Sequence, residues 1–123
     1  MPVALKPRHL YDIKDMRLVE DSNDADIMGV SAFDEDQLLC TDYENRVVKL
    51  LTMSTGLIRP IFVERDRSWV LRRALHLEDA DGPLLCVSMW NHEKRRIVIA
   101  RPDKDGTFHT REHIVLPDCV VIF

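Results

Sequence analysis

Basic and aromatic side chains are concentrated in two stretches of the chain, where they could form a patch that binds RNA. The candidate surface comprises Arg65, Arg67, Trp69, Arg72 and Arg73, followed by a second run of Lys94, Arg95 and Arg96. Guanidinium groups pair with phosphates, and aromatic rings stack on bases. The same residues also suit a solvated, charged sheet edge that discourages aggregation, and Glu64 and Asp66 dilute the positive charge.

Acidic side chains recur in two predicted turns, which raises the possibility of a cation site. These residues are Asp34, Glu35 and Asp36 in one turn and Glu78, Asp79 and Asp81 in the other. Carboxylates bind divalent cations, so a metal-dependent hydrolase like the lactonase-type propellers is one alternative. Asp-rich segments are usually only turns, however, and no G-x-S-x-G or H-E-x-x-H motif is present. The sequence therefore predicts no enzyme, no catalytic residue and no cofactor.

The cysteines and the hydropathy pattern favour a reduced intracellular compartment. Cys40, Cys86 and Cys119 are an odd number, widely spaced and without a CxxC pair, so neither disulfides nor zinc binding is predicted. No apolar run approaches the roughly 20 residues that span a bilayer, and no signal peptide is evident. We therefore expect a cytoplasmic protein that does not associate with membranes. The net charge of −4 argues against a dedicated nucleic-acid binder.

Two stretches of the chain, 27–51 and 70–100, resemble each other in the order of their apolar runs and turns. Leu38-Leu39-Cys40 in the first matches Leu84-Leu85-Cys86 in the second at an offset of 46 residues. This repeat places Cys40 and Cys86 at equivalent positions and favours a core role for both. Units of this length built from short strands are typical of β-propeller blades.

The β-branched runs and their Gly and Pro punctuation predict eight strands. They span 27–33, 37–42, 46–52, 57–63, 69–77, 83–90, 96–101 and 107–116. Asn45 is expected to take the left-handed position in the second turn. The segment 69–78 has a spacing that also suits a short helix, but its repeat partner is a strand.

The predicted fold is all-β, a partial β-propeller with about two four-stranded antiparallel blades at 27–68 and 69–117. Residues 1–26 would hold the outer strand of a preceding blade, at 10–20, and a connection. Residues 118–123 would begin the first strand of a following blade. Such a piece cannot close on itself, so we expect it to pack against remaining blades or to self-associate.

One hairpin resembles the central hairpin of NHL-type propeller repeats, as found in tripartite-motif proteins. The resemblance lies in Asp42, Tyr43, Asn45, Arg46 and Val47, which follow an apolar strand. In the second unit, residues 88–92 keep an aromatic residue and an Asn but lack the Asp. The resemblance implies a non-enzymatic scaffold that binds another protein, with single-stranded RNA as the alternative ligand. The residues themselves favour a simpler role, in which Asp42 and Asn45 stabilise the turn.

Overall fold

A computed structural model of the protein describes residues 16–92 and 94–117, and within them the chain is all-β. Eight strands of this part of the chain form two four-stranded antiparallel sheets, and within each sheet every strand pairs with the next along the chain. The first sheet contains β1 (Ile27–Ala32), β2 (Gln37–Asp42), β3 (Val47–Thr52) and β4 (Leu57–Val63). The second sheet contains β5 (Val70–Asp79), β6 (Gly82–Trp90), β7 (Lys94–Pro102) and β8 (Phe108–Pro117).

The predicted pair of four-stranded sheets is confirmed, and the segment with helical spacing is strand β5, paired with β6 along its length. The outer strand predicted over 10–20 is wrong where the structure describes it. Residues 16–20 instead lead into a turn that closes through the bond from Asp21 N–H to the Leu18 carbonyl. The Asp21 carboxylate accepts the Leu18 N–H in return, at 2.7 Å. Residues 10–15 and the strand predicted at 118–123 lie outside the described residues.

A large apolar core lies between the two sheets. It contains Leu39, Val48, Leu50, Ile61, Phe62, Trp69, Leu71, Ala74, Leu85, Val87, Met89, Val98, Ala100 and Phe108. At one side of this core β1 lies directly against β5, where Ser31 Oγ donates to the Ala74 carbonyl at 2.5 Å. A Cβ at Gly29 would lie only 2.8 Å from the Arg72 carbonyl oxygen, so the approach of the two strands requires glycine there.

Each sheet has two faces that its main-chain hydrogen bonds distinguish. Along a strand, residues alternate in the face that their side chain occupies and in the neighbouring strand that their N–H and C=O groups address. Because all residues are L, the two alternations are related in the same way in every antiparallel sheet. We define the two faces by the second strand of each sheet. On the front face lie the side chains of those second-strand residues whose N–H and C=O groups hydrogen-bond to the first strand. On the back face lie the side chains of those that hydrogen-bond to the third strand.

The first sheet turns its front face to the core. The Met53 N–H donates to the Asp36 carbonyl, so Asp36 is a position whose main chain bonds towards β3. Every second residue after it does the same, and in the β2–β3 register Cys40 is therefore hydrogen-bonded to β3. Leu39 and Thr41 alternate with Cys40, so their main-chain groups hydrogen-bond to β1 and their side chains lie on the front face. Leu39 is completely buried in the core between the sheets.

The second sheet turns its back face to the same core. The Asn91 N–H donates to the Lys94 carbonyl, so Asn91 is a position whose main chain bonds towards β7. Every second residue before it does the same, and in the β6–β7 register Leu85 and Val87 are therefore hydrogen-bonded to β7. Both side chains are completely buried in the core. The two sheets therefore pack front to back, in the same sense along the chain.

The repeat predicted at an offset of 46 residues is wrong by one position. Leu39 lies on a front face and Leu85 on a back face, so the counterparts of Leu39 are Leu84 or Cys86. Cys40 and Cys86 are likewise on opposite faces and are not equivalent. The cause is loop length: three residues separate the paired Phe33 and Gln37, whereas two separate the paired Asp79 and Gly82. An odd change of register exchanges the two faces of a strand.

Candidate ligand groove

A groove of about 640 Å³ opens where the β2–β3 turn, the β4–β5 connection and the β6–β7 turn meet. Its charged and ring-bearing lining residues are Arg46, Arg67, Lys94, Tyr43, Trp69, Trp90 and His92. None of its described lining residues is an Asp or a Glu. The groove therefore combines positive charge with aromatic surface and suits an anionic ligand.

Arg46 joins two walls of the groove. Its Nε donates to the Trp69 carbonyl at 2.9 Å and its Nη2 to the Arg67 carbonyl at 3.0 Å. Its Nη1 donates to the Glu44 carbonyl at 3.4 Å. Arg46, and not Asn45 as expected, is the left-handed residue of the turn, with φ of 55°. That conformation is uncommon outside glycine, and these contacts hold the residue in it.

Asp42 and Asn45 organise the β2–β3 turn from inside. Asp42 Oδ1 accepts the N–H groups of Asp26 and Asn45 at 3.2 and 3.3 Å, and its Oδ2 accepts the Asn45 amide at 2.9 Å. Burial raises the pKa of Asp42. The hydrogen bonds from Lys49, Asn45 and Asp26, with the charge of Lys49, outweigh burial and hold this pKa below its usual value. Asp42 and Asn45 therefore position Tyr43 and Arg46 at the groove.

Trp69 and Arg96, predicted as parts of a contact surface, are mainly interior residues. Trp69 is 8% exposed, and the Arg96 guanidinium lies 4.4 Å from the centre of its ring. Arg96 Nη2 is 2.7 Å from Glu64 Oε2 and 3.2 Å from Met89 Sδ. The charge of Arg96 is thus neutralised within the protein. Trp69 reaches the groove with only a small exposed area.

Trp90 and Arg95 form a stacked pair beside the groove, with the guanidinium 5.2 Å from the ring centre. Asn91 Oδ1 accepts the Lys94 N–H at 3.0 Å and stabilises the turn between them. Lys94 is exposed, as is Arg67 across the groove. These two cations are the most accessible charges of the groove.

The other predicted contact residues lie elsewhere. Arg65 lines a second cavity of about 550 Å³, whose walls also carry Glu20, Glu44 and Glu64. Arg72 and Arg73 lie on β5 beside Gly29 and do not line the groove.

The predicted surface is therefore divided. Arg67, Trp69 and Lys94 reach the groove and Arg95 flanks it. Tyr43, Arg46, Trp90 and His92 are groove residues that the predicted surface did not include. All four lie in or beside turns at one end of the two sheets, and the predicted strand order was the signal for that proximity.

A second polar cluster lies beneath the segment 16–26, on the back face of the first sheet. Lys49 is completely buried, and its Nζ lies 2.6 Å from Asp21 Oδ2 and 2.7 Å from Asp42 Oδ2. It donates a third bond to the Met16 carbonyl at 2.7 Å, which uses all three ammonium protons. Lys49 therefore has no proton left to donate to a ligand, which favours a structural role for the cluster. The sequence signal for it was a lysine within an apolar strand, VVKLL.

The described cysteines have no activated thiol. Burial raises the pKa of the Cys40 thiol to about 11, although the charge of Lys49 acts in the opposite direction. Burial also raises the pKa of Cys86. Both thiols are therefore protonated near neutral pH and are poor nucleophiles.

Comparisons with protein-family models, curated proteins and solved structures found no match. Across residues 16–92 and 94–117, no group of three or more His, Cys, Asp or Glu side chains is arranged to hold a metal ion. The same residues contain no helix that is long and apolar enough to cross a membrane.

Proposed function

We propose that the chain is a non-enzymatic binding module, two blades of an incomplete β-propeller, whose groove takes an acidic segment of a partner protein. The observation that carries this proposal is the groove itself. Arg67 and Lys94 are exposed on its two sides, Tyr43 and Trp90 add aromatic surface, and its described lining residues include no carboxylate.

A peptide ligand suits this combination of groups. Carboxylates of the partner would pair with Arg67 and Lys94, and its apolar side chains would pack on Trp90 and Tyr43. Ser68 and Asn91 also line the groove and could bond to a peptide main chain. Aromatic and basic residues dominate the binding energy of many protein interfaces.

Single-stranded RNA is the second candidate, because bases could stack on Tyr43 and Trp90 next to the cations. Two features favour the peptide. Three of the five N–H donors of Arg46 are engaged by main-chain carbonyls, which leaves few groups to contact phosphates. The net charge of −4 also opposes RNA more strongly than the peptide, because RNA affinity depends on many phosphate contacts and the peptide needs only carboxylates that pair with Arg67 and Lys94.

A fluorescence titration tests the proposal. A glutamate-rich peptide containing one Phe, and separately an oligouridylate, would be added while tryptophan emission is followed. In the double variant Arg67→Glu/Lys94→Glu we expect peptide affinity to fall by about tenfold or more, since each 1.4 kcal/mol is tenfold. Arg72→Glu/Arg73→Glu makes the same charge change outside the groove and should leave peptide affinity within about threefold of the original protein.

Three outcomes would contradict the proposal. The first is a peptide that does not bind the original protein. The second is an equal loss of peptide affinity in both double variants, which would indicate only a general charge effect. Tight binding of oligouridylate that weakens steeply with salt, without peptide binding, would assign the groove to RNA.

A further inference from the structure

The second sheet has an apolar front face that is only partly covered. Cys86 lies on this face because it alternates with Leu85 and Val87, and Ile99 pairs with it. Ile97 is two residues from Ile99 on β7 and so lies on the same face, and its partner on β8 is Ile114. Cys86, Ile97 and Ile99 are half-buried, and Ile114 is 56% exposed.

The corresponding face of the first sheet shows what covers such a surface. Leu39 and Val48 on that front face are completely buried, and Leu50 is 2% exposed. The cover is the back face of the second sheet, including Leu85 and Val87. Within this chain, therefore, a front face is covered by the back face of another four-stranded sheet.

The first sheet also has an accessible back-face strip along β1. Val30 pairs with Cys40 and so shares its face, and Val30 is 51% exposed. The neighbouring Met28 is 58% exposed. Over β2 and β3 the same face is covered by Met16, which packs on Cys40 and Leu51. A sheet docking on this back face would make its first contact at β1.

We propose that a second copy of this chain docks on the front face of the second sheet, using the back face of its own first sheet along β1. The contact would join a front face to a back face, as the two sheets of one chain are joined, but on the docking copy it would be confined to the β1 strip. Its two surfaces are different, so each added copy leaves one of each exposed. Such a contact produces a ring if the rotation closes and a filament if it does not.

Sedimentation velocity over a concentration series tests the proposal with two variants, each blocking one surface. Ile114→Arg places a charge on the front face and Val30→Arg places one on the back face. Both side chains are largely exposed, so folding should be retained, and circular dichroism melts would verify this. We expect the original protein to associate with increasing concentration and each variant alone to remain monomeric.

A mixture of the two variants separates this contact from other modes of association. The intact back face of Ile114→Arg fits the intact front face of Val30→Arg, so the mixture should form a heterodimer and stop there. Leu57→Arg, at an exposed position on β4, is the matched control and should associate like the original protein.

The proposal is overturned by a protein that stays monomeric at every concentration, or by a mixture that stays monomeric. Association of Ile114→Arg alone would overturn it as well, because it would indicate a contact between identical surfaces. Loss of association in Leu57→Arg would place the contact at the β4 edge instead. Neither blocking substitution is at a groove residue, so failure here leaves the peptide-binding proposal intact.

Discussion

The outer faces of the two sheets differ in chemistry although the sheets share one strand order. The back face of the first sheet carries Lys49, Asp42 and Cys40, and the segment 16–26 covers them with its own carboxylate and carbonyl. The front face of the second sheet carries Cys86, Ile97 and Ile99, which are only half-buried.

The difference shows two ways in which a sheet face outside the main core can be covered. A buried charge requires its partners to be in place, so the first sheet can retain Lys49 only while Asp21 stays over it. An apolar face has no such requirement and can be covered by any complementary apolar surface. Apart from its exposed strip along β1, the first face is therefore covered by its own chain, and the second remains suited to association.

The largest effect is expected from Lys49→Met. This substitution leaves Asp21 and Asp42 buried without their cation, which typically costs about 3–5 kcal/mol of unfolding free energy. Urea denaturation would measure the loss. Lys94→Met, an exposed lysine of the second sheet, is the control and should change stability by no more than about 0.5 kcal/mol. Equal effects of the two substitutions would show that the buried cluster does not stabilise the first sheet.

Acid should destabilise the protein partly through Asp42. Its folded pKa is lowered, so below about pH 4 the unfolded chain binds a proton that the folded chain excludes. The stabilisation is present above the unfolded pKa and is lost as the pH falls through the folded pKa. Urea midpoints between pH 7 and pH 2 should therefore fall less steeply for Asp42→Asn than for the original protein. Parallel curves would contradict a role for this carboxylate.

The two described cysteines allow the accessibility of the two outer faces to a reagent to be compared directly. In a Cys119→Ser background, a maleimide reagent should label Cys86, on the partly open face, faster than Cys40. The expected ratio is on the order of ten or more, since each 1.4 kcal/mol of opening free energy slows labelling about tenfold. Single variants Cys40→Ser and Cys86→Ser assign the two rates. Faster labelling of Cys40 would mean that the segment 16–26 opens readily.

The smallest effect is expected from Ile114→Thr on the front face of the second sheet. At 56% exposure little apolar surface is lost, so the unfolding free energy should change by no more than about 0.5 kcal/mol. The measurement is a urea titration at a concentration where the protein is monomeric. A loss above about 2 kcal/mol would show that this face is already covered within a single chain.

The strands themselves were determined by local sequence. β-branched runs of six to ten residues, separated by turns with glycine at Gly56, Gly82 and Gly106, predicted every strand end within two residues. Those three glycines all have positive φ, where other residues are strained. Local preference and hairpin connections suffice for this, because within each sheet every strand pairs with the next along the chain.

Which residues face which neighbour was decided by tertiary structure. The match of Leu38-Leu39-Cys40 to Leu84-Leu85-Cys86 was off by one position, because loop length and not residue identity sets the face of a strand. The division of the basic residues has a similar cause, since Arg96 is neutralised by Glu64, 32 residues away in the chain. Lys49 in turn is buried because folding brings Asp21 to it from 28 residues away. Contacts over such separations depend on chain geometry, which a pattern of residue types along one segment does not contain.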